Sequence, residues 1–158
     1  MYKLTLFAAA GAFLLTGCDF SSSGADLTTD AGIASVEISS LSQTFRGEAW
    51  DADGAPDVFI ELRNAAGRAF YRSEVIADAD ISETIAFEVD EALVGSPTIP
   101  LFIAVFDMDD SLVHSQEMAT SAAFTVEDMA AGALQLEGTG RGANARFEIR
   151  ASADQDDV

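Results

Sequence analysis

Two short segments of this 158-residue chain concentrate carboxylates at the ends of apolar runs. The first, Asp51-Ala52-Asp53-Gly54-Ala55-Pro56-Asp57, directly precedes Val58-Phe59-Ile60-Glu61-Leu62; the second, Asp107-Met108-Asp109-Asp110, directly follows the run that ends at Phe106. Like charges crowded into a turn repel, and solvent, protons or a cation relieve the repulsion. Calcium is a hard cation that takes about six to eight oxygen ligands, so two such loops supply the donors of a calcium site. Neither loop is an EF-hand, which needs glycine at its sixth position and an acid at its twelfth. Counting from Asp51 gives Pro56 and Leu62, and counting from Asp107 gives Leu112 and Met118. The competing reading is a set of solvated turn acids that need no metal. Asp78, Asp80 and Asp90 are read as plain surface charge.

Other chemistries are poorly supplied. His114 is the only histidine, which excludes a histidine-rich zinc site, and no Gly-x-Ser-x-Gly turn accompanies it to build a serine–histidine–acid triad. Two carboxylates suffice for a glycosidase, but only at a separation in space that a sequence does not give. The expectation is a protein that is not an enzyme. Trp50, beside the first acidic loop, is read as core packing, because a large apolar ring gains most by burial.

The elements that must position these loops have a period of two. Val36 and Ile38 alternate with Ser35, Glu37 and Ser39; Val58, Ile60 and Leu62 with Phe59, Glu61 and Arg63; and Ile85, Phe87 and Val89 with Ala86 and Glu88, as half-buried strands do. Ile99 to Phe106 is apolar on both faces, as a central strand would be. Further alternating sets are Ala122, Phe124 and Val126, then Leu134 and Leu136, then Ala145, Phe147 and Ile149. Turn signals separate them at Asn64–Gly67, Gly95–Pro97, Gly138-Thr139-Gly140 and Gly142. Val126 to Gly132 holds at most one helical turn. About eight strands at this spacing, with no long helical pattern, predict an all-β sandwich with a single core.

The first acidic segment and its strand, Asp51 to Leu62, resemble the first calcium loop of C2 domains, with Asp51, Gly54, Asp57, Phe59 and Ile60 in matching places and Val58 where proline is usual. Ser82 to Phe87 is similar to that family's Asn-Glu-x-Phe-x-Phe strand, Leu101 to Asp109 to the strand leading into its third loop, and Ala123 to Met129 to the strand and turn that follow. The resemblance covers roughly Ile33 to Ala151 and implies an antiparallel eight-stranded C2-like β-sandwich. It also implies calcium held by Asp51, Asp57, Asp107 and Asp109. The family's last acid in the third loop falls near Ser115, which is not an acid; Asp110 and Glu117 are the substitutes, and Asp53 is a further candidate ligand.

Acidic residues outnumber basic ones by 27 to 8, and Lys3 is the only lysine. Nucleic acid is therefore a poor partner, since binding it relies on basic residues that displace counterions. Direct phospholipid docking by the domain is disfavoured on the same ground, although Leu112 and Val113 offer an apolar tip. So acidic a surface suits strong salt, where repulsion is screened, and a halophilic source is expected.

The chain opens with Lys3, an apolar run from Leu4 to Leu15, and Thr16-Gly17-Cys18. That run is too short to cross a bilayer, which takes about 20 apolar residues, and it reads as an export signal. Leu15-Thr16-Gly17-Cys18 resembles the lipobox of bacterial lipoproteins, which implies cleavage before Cys18 and lipidation of its thiol. The domain expectations are a signal peptide at 1–17, a lipidated cysteine and flexible linker at 18–32, the sandwich at 33–151 and an acidic tail at 152–158. Together these describe a membrane-tethered, extracytoplasmic module of the cell envelope, anchored through the lipid on Cys18 and directed to an envelope or extracellular protein partner. The alternative is a metal-free structural or assembly lipoprotein of the envelope.

Overall fold

Alternating apolar residues make five of the strands, and pairing between distant segments makes the rest. The computed structural model describes residues 32–51, 54–93, 98–109, 114–129, 132–141 and 144–152. The signal sequence, Cys18, the linker to residue 31, Asp53, Asp110, Leu112, Val113 and the tail from 153 lie outside the described residues. The strands are β1 (Gly32–Ser39), β2 (Thr44–Phe45), β3 (Glu48–Ala49), β4 (Val58–Asn64), β5 (Ala69–Arg72), β6 (Ile85–Leu93), β7 (Leu101–Asp107), β8 (Gln116–Ser121), β9 (Leu134–Gly140) and β10 (Asn144–Ala151).

Eight of them form one antiparallel sheet in the order β5-β4-β7-β8-β9-β10-β1-β6, while β2 and β3 form a separate hairpin. The sheet curls on itself, so that Ile60, Leu62, Ile103 and Val105 from one half share a core with Val36, Ile38, Phe87, Phe147 and Ile149 from the other. Two facing layers result, joined where β8 pairs with β9. Tyr71 of edge strand β5 donates its hydroxyl to the Glu88 carbonyl of edge strand β6 at 3.3 Å.

The seam at β9 explains one departure from expectation. Gly138 and Gly140 are strand residues and not a turn. A Cβ on Gly138 would stand 2.3 Å from the Phe147 ring, and one on Gly140 would stand 2.2 Å from the Met118 carbonyl oxygen. Glycine is needed there for close backbone approach. A second departure concerns Ala122 to Val126: only Phe124 bridges to Leu101, and the strand lies earlier, at Gln116–Ser121. Ile99 precedes β7 and is exposed. The helical turn shrinks to a 3-10 turn at Glu127–Met129.

Two buried serines complete the ladders where neighbouring strands run out. Ser73 Oγ accepts from the Ile60 N–H and Ser121 Oγ from the Ile103 N–H, each at 3.0 Å. A buried N–H without such an acceptor costs about 1–3 kcal/mol.

The registers sort the loops onto two poles. Val58 pairs with Asp107, Asp107 with Gln116, Ser39 with Arg146, and Ile38 with Ile85. The β3–β4, β5–β6, β7–β8 and β9–β10 connections therefore share one pole. Gly32 and Ala151 lie at the other, where the Ser152 N–H donates to the Gly32 carbonyl and the Gly32 N–H to Ser152 Oγ.

Candidate metal centre

Asp107 is the last residue of β7 and is fully buried, because β4 and β8 flank it on both sides. Its Oδ1 accepts from the Asp57 N–H at 3.2 Å, and the Met108 N–H donates to the Asp57 carbonyl at 2.8 Å. These two bonds fasten the first acidic loop to the start of the second, although 50 residues separate Asp57 from Asp107. The other carboxylate oxygen, Oδ2, is buried with no hydrogen-bond partner among the described residues.

Asp51 and Asp109 converge on this residue. One carboxylate oxygen from each of Asp51, Asp107 and Asp109 lies within 4.8 Å of the others. Burial and the carboxylates of Asp51 and Asp109 push the Asp107 carboxyl up to about 6. The Asp51 carboxyl is raised too, by burial first and then by Asp57, Asp109 and Asp78. Three acids pressed together, one of them desolvated, hold a proton or a cation. The donor set is all oxygen, which suits a hard ion such as calcium and not a softer one that prefers nitrogen or sulfur. The orphaned Oδ2 supplies the fit: it is a buried acceptor for which the described residues provide no donor.

The predicted ligands among the described residues divide into three groups. Asp51, Asp107 and Asp109 meet. Asp57 stands beside them, but its Oδ1 accepts from the Asp78 N–H at 2.9 Å and so ties down the β5–β6 connection. Glu117 is engaged elsewhere: its carboxylate accepts from Thr120 at 2.9 Å and lies 3.5 Å from Arg63. Asp109 also accepts from Gln116 Nε2 at 3.3 Å.

Asp78 is the residue that sequence reasoning missed. It has a left-handed backbone (φ 50°), and its Oδ1 lies 3.0 Å from where Gly54 would carry a Cβ, so Gly54 makes room for it. No local pattern marks it, since it reaches the cluster through a connection distant in sequence. Asp80, by contrast, is a plain turn acid, held below its usual range by hydrogen bonds from Ser82.

The curled eight-stranded sheet has the C2-domain fold. Among solved structures, one described as "BON1-C2B" matches with a TM-score of 0.52 at 16% identity, covering 84% of this chain and 99% of that one. "Structure of a C2 domain" matches at a TM-score of 0.47 and 10% identity, covering 78% and 97%. The calcium-bound tandem C2 domains of Extended-Synaptotagmin 2 match at 0.43 and 19%, covering 77% and 45%. No protein-family model matches the chain, and no curated protein matches it.

Proposed function

We propose that this chain is a C2-like binding module, not an enzyme, tethered to a membrane of the cell envelope through a lipid on Cys18 and facing the extracytoplasmic side. Its acidic pole takes up calcium. The observations that carry the calcium reading are the buried, unpartnered Oδ2 of Asp107 and the convergence of its carboxylate with those of Asp51 and Asp109. Asp51, Asp107 and Asp109 hold the ion, with Asp57 at hand as a further donor. The bound ion neutralises their repulsion, stiffens the two loops, and presents positive charge to a protein partner of the envelope or exterior. An extracellular site needs only an affinity of about 0.1 to 1 mM.

Isothermal calorimetry on the full-length chain tests the reading. Calcium heat should saturate in the millimolar range or below and vanish in Asp51→Ala and Asp107→Ala, while Glu117→Gln keeps it. Absence of heat in the wild type at millimolar calcium rejects the calcium reading and leaves the metal-free structural protein. The tether is checked separately: Cys18→Ala should move the protein from the membrane fraction to the soluble one.

A further inference from the structure

Phe59 and Phe106 are buried at strand positions that face away from the sandwich core. Along β4, Val58, Ile60 and Leu62 join that core, so Phe59 points to the outer side of the sheet; Ile103 and Val105 leave Phe106 in the same place on β7. Both rings are nonetheless closed off from solvent. They stack on each other, and a small second core forms from Phe59, Ala104 and Phe106, with half-buried Val75 and Met108 packed against it. Arg63 and Arg72 lie over the rings, and Val75 and Met108 add the apolar cover.

This outer core clamps the acidic pole. Phe59 lies near the start of β4, Phe106 near the end of β7, and Val75 in the β5–β6 connection. Met108 stands between Asp107 and Asp109, and its N–H donates to the Asp57 carbonyl at 2.8 Å. One residue therefore ties the two acidic loops together through its backbone and is itself held by its side chain. Met118 and Met129 are 3% and 1% exposed, whereas Met108 is only partly buried. A thioether on aromatic rings is held by dispersion and by sulfur–ring contact, and both weaken when the sulfur gains a polar oxygen.

We propose that Met108 is a site of reversible oxidation by hydroperoxides, and that its sulfoxide loosens the acidic pole. The thioether sulfur attacks the terminal oxygen of the hydroperoxide. The S–O bond forms as the O–O bond breaks, the sulfur is oxidised by two electrons, and the departing oxygen takes up the proton of the transferred one and leaves as water or an alcohol. A dithiol-dependent methionine sulfoxide reductase reverses the step, releasing the oxygen as water and ending as a disulfide. With the cover over the rings disturbed, the bond from the Met108 N–H to Asp57 opens more often.

The full-length chain is exposed to graded hydrogen peroxide in metal-free buffer, so that the outcome does not depend on calcium uptake. Peptide mass spectrometry should find one added oxygen on Met108 about tenfold sooner than on Met118 or Met129. Hydrogen exchange of the Met108 amide should quicken about tenfold in the oxidised chain. It should return to its starting rate after treatment with dithiothreitol and the two reductases, one for each sulfoxide epimer. Met108→Leu keeps an apolar cover and should make exchange at residue 108 indifferent to peroxide, whereas Met108→Gln, polar and of similar length, should show the faster exchange with no peroxide added. Equal oxidation rates at Met108, Met118 and Met129, or an oxidised Met108 whose amide stays as protected as before, overturn the proposal.

Discussion

Two carboxylates lie buried on the same ribbon of β4 and β7, and their surroundings treat them in opposite ways. Glu61 is flanked by the guanidinium groups of Arg63 and Arg72, which donate to both of its oxygens. Burial alone would raise its carboxyl, but the hydrogen bonds from Arg72 and Arg63 overcome it and hold the group below its usual range. Both arginines also lie over aromatic rings, Arg63 over Phe106 at 4.8 Å and Arg72 over Phe59 at 5.2 Å, and the two rings stack on each other. Asp107 has one backbone donor, no cation among the described residues, and three acids for neighbours. A carboxylate that serves the fold is given its counter-charge by the chain. Asp107, at similar depth, is given none among the described residues.

The sharpest test of this contrast is pH. Asp107 has its folded value raised from 3.8 to about 6. Its contribution to stability is therefore fully present below the unfolded value and is lost as pH rises through about 6, worth up to about 3 kcal/mol. Glu61 behaves in the reverse sense: its contribution is present above its unfolded value and is lost as pH falls through its depressed folded one. Without metal, Glu61→Gln should thus lose the stabilisation that wild type keeps above about pH 5, and Asp107→Asn should flatten the decline between about pH 4 and 7. Calcium should invert that decline, stabilising at about pH 7 by about 2.7 kcal/mol at a hundredfold excess over its Kd and little at about pH 4. Melting curves across this range would break the comparison if calcium acted equally at both ends.

Single substitutions give smaller effects of opposite sign. Glu61→Gln strands two arginines and should destabilise by about 2 kcal/mol; this is below the roughly 3–5 kcal/mol of a fully buried pair because Arg72 is 43% exposed. Asp107→Asn removes charge without removing volume and should stabilise the metal-free chain by about 1 kcal/mol at about pH 7, while abolishing calcium binding. Denaturant titrations of the two variants side by side decide the matter. Equal signs would mean that the two sites do not differ in kind.

The contrast was only half legible in the sequence. Asp51, Asp107 and Asp109 stand out because acids cluster next to apolar strands; β1, β4, β6, β9 and β10 stand out by alternation, and β7 as a run apolar on both faces. Glu61 showed only as the polar member of an alternating run, with nothing to mark it as buried. Its partners come from β4 itself and from β5, whose four residues are mostly exposed and carry no apolar period. β8, Gln-Glu-Met-Ala-Thr-Ser, was hidden for a similar reason: a polar strand in the middle of a sheet is fixed by its neighbours and by Ser121, not by its own composition. Gly138 and Gly140 looked like a turn because the sequence shows that glycine is present and not what crowds it. Asp78 was hidden because left-handed turns and long-range caps leave no local trace.

The placement of Gly32 also has a mechanical consequence. A load drawn between residue 32 and the acidic pole runs along β1, so the hydrogen bonds to β6 and β10 bear it together in shear. A load drawn between Gly32 and Ser152, which meet at this pole, would open the β1–β10 bonds one at a time, like a zip. The molecule is thus stiff toward tension applied between Gly32 and the acidic pole and compliant toward tension applied between Gly32 and Ser152.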